Sequence, residues 1–225
     1  MRQRILSVSI GLALTPLAIG AAAEPAKLAT YEVVVTNVTR DQRFTPVLAA
    51  THGEGVRLFE LGSPASPELA TLAEEGDTAP LAALLDSAPA VREVSSTAGL
   101  LDPGASVAIE IRGVPGERVS LAAMLIPTND AFFAVSSAAL PRTREPQLLS
   151  AVAYDAGSEV NDERCASIPG PGFVECGGPG GGGAPSGGEE GFVHVHNGIH
   201  GAGDLDERER DWRNPVARIS VRRVR

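Results

Sequence analysis

Cysteine is nearly absent from this chain: Cys165 and Cys176 are the only two. That excludes a thiol-rich zinc module and a disulfide-dense mini-protein. Tryptophan occurs once, at Trp212, and histidine only four times. There is no Gly-x-Ser-x-Gly elbow, no glycine-rich loop running into Gly-Lys-Ser/Thr and no His-Glu-x-x-His helix, so the usual hydrolase, nucleotide and metalloprotease signatures are missing. Beyond the N-terminus no apolar run approaches the roughly 20 residues of a membrane helix. Positive charge is also scarce, with 19 basic residues against 28 acidic ones and a net charge of −9. An acidic surface repels nucleic acid and anionic lipid, which excludes nucleic acid as a partner despite the basic tail Arg218, Arg222, Arg223 and Arg225.

What is present begins with an address. Met1-Arg2-Gln3-Arg4 is followed by an apolar stretch interrupted at Pro16, and then by Ala21-Ala22-Ala23-Glu24. A basic start, a short apolar run and an Ala-x-Ala site predict a signal peptide over residues 1–23, and hence a secreted or periplasmic protein with no membrane span. Removing those 23 of 225 residues leaves 202, one domain over 24–225. Losing Arg2 and Arg4 takes the 19 basic residues to 17 against 28 acids, a net of −11. In an oxidising compartment Cys165 and Cys176 are expected to pair and staple one loop, leaving the core to hold itself together. Their ten-residue spacing does not suit a zinc knuckle.

Most of the rest reads as strands. Residues 31–38 are compact and β-branched, and 44–51 follow as a second strand whose Pro46 argues for an edge or a strand start. A brief extended piece is expected over 56–61. Ser66-Pro67-Glu68 then opens a helix with a hydroxyl cap, a first-position proline and an early acid, and Gly76 ends it. Asp77 or Thr78 caps a second helix with Leu81, Leu84 and Leu85 as its apolar stripe. Val107, Ile109 and Ile111 alternate as a buried strand face, and 119–126 is apolar enough for a central strand. Residues 165–191 are rich in glycine and proline. Residues 177–191 in particular cannot bury enough surface to offset backbone entropy and are expected to form a flexible loop. Strands resume over 192–196 and 215–221. Many short strands with helices confined to one early insert predict an all-β, antiparallel β-sandwich with a short helical insert and a Gly-rich loop. Trp212 is expected to pack on the core edge.

Two acidic clusters each follow an apolar run: Asn129-Asp130, and Asp155 with Glu159, Asn161 and Asp162. Strand ends that meet would gather hard oxygen ligands for a divalent cation, calcium first. Gly157 allows a sharp bend, so that Asp155 and Glu159 both turn inward. The plainer alternative is that Asp130 and Asp155 only cap turns. A rival chemistry lies in His194 and His196, two apart on one strand face, with His200 and Asp204 following; three imidazoles and a carboxylate could hold zinc or another transition metal and, with an open position, serve a metal-dependent enzyme. A solvated His-x-His face is the bland counterpart.

The segment Met124-Leu125-Ile126-Pro127-Thr128-Asn129-Asp130-Ala131-Phe132-Phe133 resembles the spondin signature, a strand ending in Pro and Asp before aromatics. Tyr154-Asp155-Ala156-Gly157-Ser158-Glu159 is similar to its Tyr-Asp-Ala-Gly partner, and residues 215–221 to its closing strand. The resemblance to the spondin domain family implies a C2-like β-sandwich found in secreted matrix and adhesion proteins. It implies a bound calcium ion with Asp130, Asp155 and Glu159 as ligands, no catalysis, and an extracellular or envelope protein or glycan as partner. Glu159 stands where animal relatives carry aspartate, and Ala131 displaces the aromatic after Asp130. The His-Val-His segment and the Gly-rich loop resemble features of bacterial members.

Overall fold

A computed structural model describes residues 27–169, 176, 181–184 and 186–225. The expected signal peptide and the 177–180 centre of the Gly-rich stretch lie outside the described residues. The frame is antiparallel throughout. β1 (Ala29–Asn37) alternates buried and half-buried positions along its length, with Tyr31, Val33 and Val35 inward. It lies between β5 (Ser106–Gly113) and β10 (Ala217–Arg223), where Ile109, Ile111, Ile219 and Val221 complete the same apolar face. β6 (Arg118–Ile126) is buried on both faces, as a strand without polar alternation must be. β3 (Leu48–His52) and β7 (Ala131–Ala139) flank it, and β4 (Val91–Ser96) pairs with β3.

β8 (Gln147–Asp155) joins the two layers, pairing with β10 through residues 147–151 and with β7 through residues 152–155. The order β4-β3-β6-β7-β8-β10-β1-β5 is therefore one sheet folded over on itself. The β5 edge meets the other end of the sheet through side chains: Thr51 Oγ1 of β3 donates to the Arg112 carbonyl at 2.6 Å, and Glu93 of β4 pairs with Arg112. The expected sandwich is thus nearly closed. Val33, Phe44, Leu121, Phe133 and Ile219 fill its interior.

The helical insert covers the other face of β3, β6 and β7. In α1 (Pro67–Glu75) the Ser66 hydroxyl accepts from the Leu69 N–H at 3.2 Å, and Gly76 closes the helix with φ 69°. In α2 (Ala79–Asp86) the Thr78 side chain makes no capping bond; Asp77 supplies one, from the Ala79 N–H at 2.9 Å. Leu69, Leu72, Leu81 and Leu85 pack on Leu48, Ala122 and Phe132 in a second apolar cluster. Leu84, expected within that stripe, is exposed instead, because an eight-residue helix on a flat sheet buries only a narrow face.

Other departures are local. The strand expected over 44–51 is split into β2 (Arg43–Phe44), which pairs with β6, and β3, because Pro46 offers no donor to the ladder. Residues 56–61 form turns and irregular backbone rather than an extended piece, with Leu58 buried beneath the insert. Val107 is only half-buried. Within 192–196 only β9 (His194–Val195) is strand, and the closing strand runs on to Arg223. A short helix α3 (Glu207–Arg210), capped by Asp206, precedes it. Trp212 is buried in the interior cluster. Cys165 and Cys176 form the expected disulfide.

Candidate metal centre

The β6–β7 turn holds itself before it meets anything else. The Thr128 hydroxyl donates to the Leu125 carbonyl at 2.5 Å and accepts from the Ala131 N–H at 3.2 Å. Ala131 pairs with Asp155 in the β7–β8 ladder, so Asp130 stands beside the chain leaving β8, and the Ala156 N–H donates to the Asp130 carbonyl at 3.2 Å. The Asp130 side chain continues the contact: Oδ2 accepts from the Ser158 and Glu159 N–H groups at 2.8 and 3.1 Å. Asn129 adds a second pair of bonds, its Oδ1 accepting from the Glu163 N–H and its Nδ2 donating to Asp162 Oδ1, each at 3.1 Å. The two loops expected to meet lie side by side.

Gly157 makes that packing possible. Its φ is +66°, and a Cβ there would stand 2.4 Å from the Phe192 carbonyl oxygen, so both the bend and the close approach of the 190–194 segment require glycine. Asp155 Oδ1 accepts from the Gly157 N–H and Oδ2 from Asn161 Nδ2, both at 2.7 Å. Glu159 Oε1 accepts from the Ala184 N–H at 2.9 Å. Ala184 belongs to the stretch expected to be flexible. Its described part is anchored at three points, the others being Gly181 on Cys165 and Gly191 on Gly157.

Three carboxylates are therefore buried on these two adjoining loops: Asp130, Asp155 and Glu159. Burial, reinforced by the charge of Asp155, raises Asp130 to about 7 against the bonds from Glu159 and Ser158. Burial likewise raises Glu159 to about 7, opposed by the Ala184 N–H and aided by the charges of Glu74 and Asp162. Asp155 is raised by burial, against its bonds from Asn161 and Gly157. Two of the oxygens, Asp130 Oδ1 and Glu159 Oε2, are buried with no hydrogen-bond partner. A buried anionic oxygen without a partner is costly. Oxygen donors alone, flexible in number and including carboxylates, are what a hard divalent cation takes, so the donor chemistry suits calcium, although among the described residues these three carboxylates do not form a group whose ligand atoms all lie within 4.8 Å of one another. Both aspartates also cap turns; the capping bonds use Asp130 Oδ2 and leave Oδ1 over.

The histidines divide. His194 lies opposite Asp155 in the β8–β9 ladder, with Nε2 3.6 Å from Asp155 Oδ1; His196 Nε2 is 3.7 Å from Oδ2. Both imidazoles thus reach one carboxylate. His196, however, is buried against Trp212 with both nitrogens engaged: Nδ1 accepts from the Gly198 N–H at 2.9 Å and Nε2 faces Asn161 Oδ1 at 3.2 Å. Burial, with His194 and His200 nearby, lowers its pKa to about 3. In this arrangement its lone pair is already used. His200 is exposed, and it is its backbone N–H that is held, by Glu163 Oε1 at 2.6 Å. Among the described residues, the group whose ligand atoms all lie within 4.8 Å of one another is Asp155, Glu190 and His194.

Glu163 and Glu190 escaped the sequence reading, whereas Asn161 was named there within the acidic cluster. Asn161 links Asp155 to His196. Glu163, at φ 53°, grips the His200 and Ala202 N–H groups and ties the acidic loop to the histidine loop. Glu190 sat in a stretch read as structureless. Its only sequence signal was its place four residues before His194.

Fold and site together define a class: an all-β domain that gathers buried carboxylates at one end of its sheet. The profile of the spondin N-terminal domain family, Spondin_N, matches residues 35–160, more than half of the chain, and the chain belongs to that family. Asp130, Asp155 and Glu159 all lie within the matched span, whereas Glu190, His194, His196 and His200 lie beyond it. Among curated proteins none matches this chain.

Proposed function

We propose that this spondin-type domain is an exported calcium-binding module that serves adhesion or recognition of an extracellular or envelope protein or glycan, without catalysis. The observation that carries the reading is the pair of buried, unpartnered oxygens, Asp130 Oδ1 and Glu159 Oε2, at the junction of the two loops. Asp130, Asp155 and Glu159 would hold the ion, with main-chain carbonyls and water completing its six to eight oxygens. Bound calcium would supply the positive charge that three buried carboxylates lack, and so fix the 155–163 loop on the β6–β7 turn. Export is supported by the N-terminal sequence and by the disulfide. No helix among the described residues is long and apolar enough to cross a membrane.

Thermal unfolding of chelator-stripped protein under a calcium titration is the test. A ligand bound only by the folded state at a hundred times its Kd adds about 2.7 kcal/mol. The midpoint is expected to climb with millimolar calcium, and the Asp130→Ala protein is expected not to respond. An unchanged wild-type midpoint would refute the calcium reading.

A further inference from the structure

We infer that Asp155, Glu190 and His194 form a second cation site, beside the calcium carboxylates, for a borderline divalent transition ion of the zinc type. The backbone places two of the three ligands. Asp155 and His194 are directly opposed in the β8–β9 ladder, so their side chains share a face at the close spacing of a cross-strand pair. Glu190 is brought in because Gly191 bonds to the Gly157 carbonyl at 2.8 Å and Phe192 lies against Gly157. One ligand atom from each residue then falls within 4.8 Å of the other two.

The imidazole is prepared for a metal. Nδ1 lies 3.1 Å from the Val195 carbonyl, an acceptor, so Nδ1 carries the proton and the lone pair resides on Nε2. That Nε2 is buried and has no hydrogen-bond partner. It faces Asp155 Oδ1 at 3.6 Å, longer than a hydrogen bond. Two lone pairs confronting each other at that distance match two ligands on one ion, since metal–ligand bonds of about 2.0–2.1 Å at a tetrahedral angle separate the ligand atoms by about 3.4 Å. The supporting bonds are in place as well, the Gly157 N–H and Asn161 orienting Asp155 and the Val195 carbonyl orienting His194. Glu190 is exposed, which leaves the ion a way in.

A nitrogen ligand separates this site from the oxygen-only calcium shell, because imidazole suits zinc, copper, iron and nickel and not calcium. The site also differs from a three-histidine set: His196 has its lone pair engaged by Gly198, and Glu190 takes the place of His200. Although both sites use Asp155, His194 Nε2 presents its lone pair whether or not calcium binds at Asp130 and Glu159.

The test uses untagged, chelator-stripped protein titrated with zinc by calorimetry, and with cobalt for its visible absorption. One equivalent of zinc is expected to bind at micromolar concentration. His194→Ala should weaken it by about a hundredfold and Glu190→Gln by about tenfold or more. Cobalt should give a visible band that His194→Ala removes. Glu190 is exposed, so Glu190→Gln should melt with the metal-free wild type, while His194→Ala also gives up a ring contact with Phe192. His200→Ala and Glu159→Gln should bind zinc as the wild type does. No zinc uptake by the wild type would overturn the proposal, leaving His194 as an ion-pair partner of Asp155. Undiminished binding by His194→Ala, or equal loss on His200→Ala, would overturn it too. Failure of the calcium reading shows separately, as a missing calcium response in a protein that still takes up zinc.

Discussion

At the scale of single residues, Glu159 is held where ionisation is unfavourable. Its folded-state value of about 7 stands above the ordinary 4.5, and Asp130 is raised in the same sense. Between those values the folded, metal-free protein binds more protons than the unfolded chain. Stability from these groups is therefore full at acid pH and is lost as pH rises through about 7. Buried His196, lowered to about 3, has the opposite sign: its neutral form favours folding above the ordinary 6.5, and that advantage is lost as pH falls below it. Between pH 6.5 and 8.5 the two effects oppose each other, and thermal scans in chelator on Glu159→Gln beside wild type isolate the first. The drop in midpoint between these conditions should be smaller in Glu159→Gln than in wild type, and the variant should lose most of the calcium response. An equal drop in both proteins would show that Glu159 is not the titrating group. Gly157 makes an independent case. Gly157→Ala forces an unfavourable φ and a Cβ into the Phe192 carbonyl, and should cost about 1–3 kcal/mol in urea unfolding.

At the scale of elements, stability is unevenly placed. β7 carries Phe133, fully buried with its ring 4.6 Å from that of Phe44, so it ties β2 to the sheet interior. Phe133→Ala should cost about 3–5 kcal/mol by denaturant titration. The α1 cap is worth far less. Ser66→Ala removes one part-buried bond and should cost about 1 kcal/mol, with β content by circular dichroism unchanged. A reversal of that order would mean that the insert, not the folded sheet, carries more of the domain's stability. The sequence predicted α1 well because cap, proline and glycine are local signals. It predicted β2 and β3 as one strand because the effect of Pro46 depends on which neighbour the backbone must bond.

At the scale of the whole molecule, the disulfide lies apart from both apolar clusters. It closes a short loop with a sequence separation of 11. Loop-closure entropy of that size is about 3 kcal/mol at most, with nothing lost from the core. Reduction should therefore lower the unfolding free energy by no more than that and leave the strand spectrum intact at 25 °C. Collapse on reduction would show instead that the 165–191 segment supports the fold. The anchoring of that segment at Glu159 and Gly157 could not be read from its composition, because polyglycine acquires order only from a surface to bind.

Alternation, caps and turn residues are properties of neighbours in the chain, and they were enough to determine an all-β domain with a helical insert. The resemblance to the spondin signature, carried by short contiguous motifs, pointed to Asp130, Asp155 and Glu159. What no local signal carries is pairing between distant segments. Only the tertiary structure decided that the sheet nearly closes, that His196 turns its lone pair to Gly198, and that Glu190 joins His194 and Asp155. Each of these depends on which backbones lie side by side, and that is settled by burial summed over the whole chain rather than by any stretch of it.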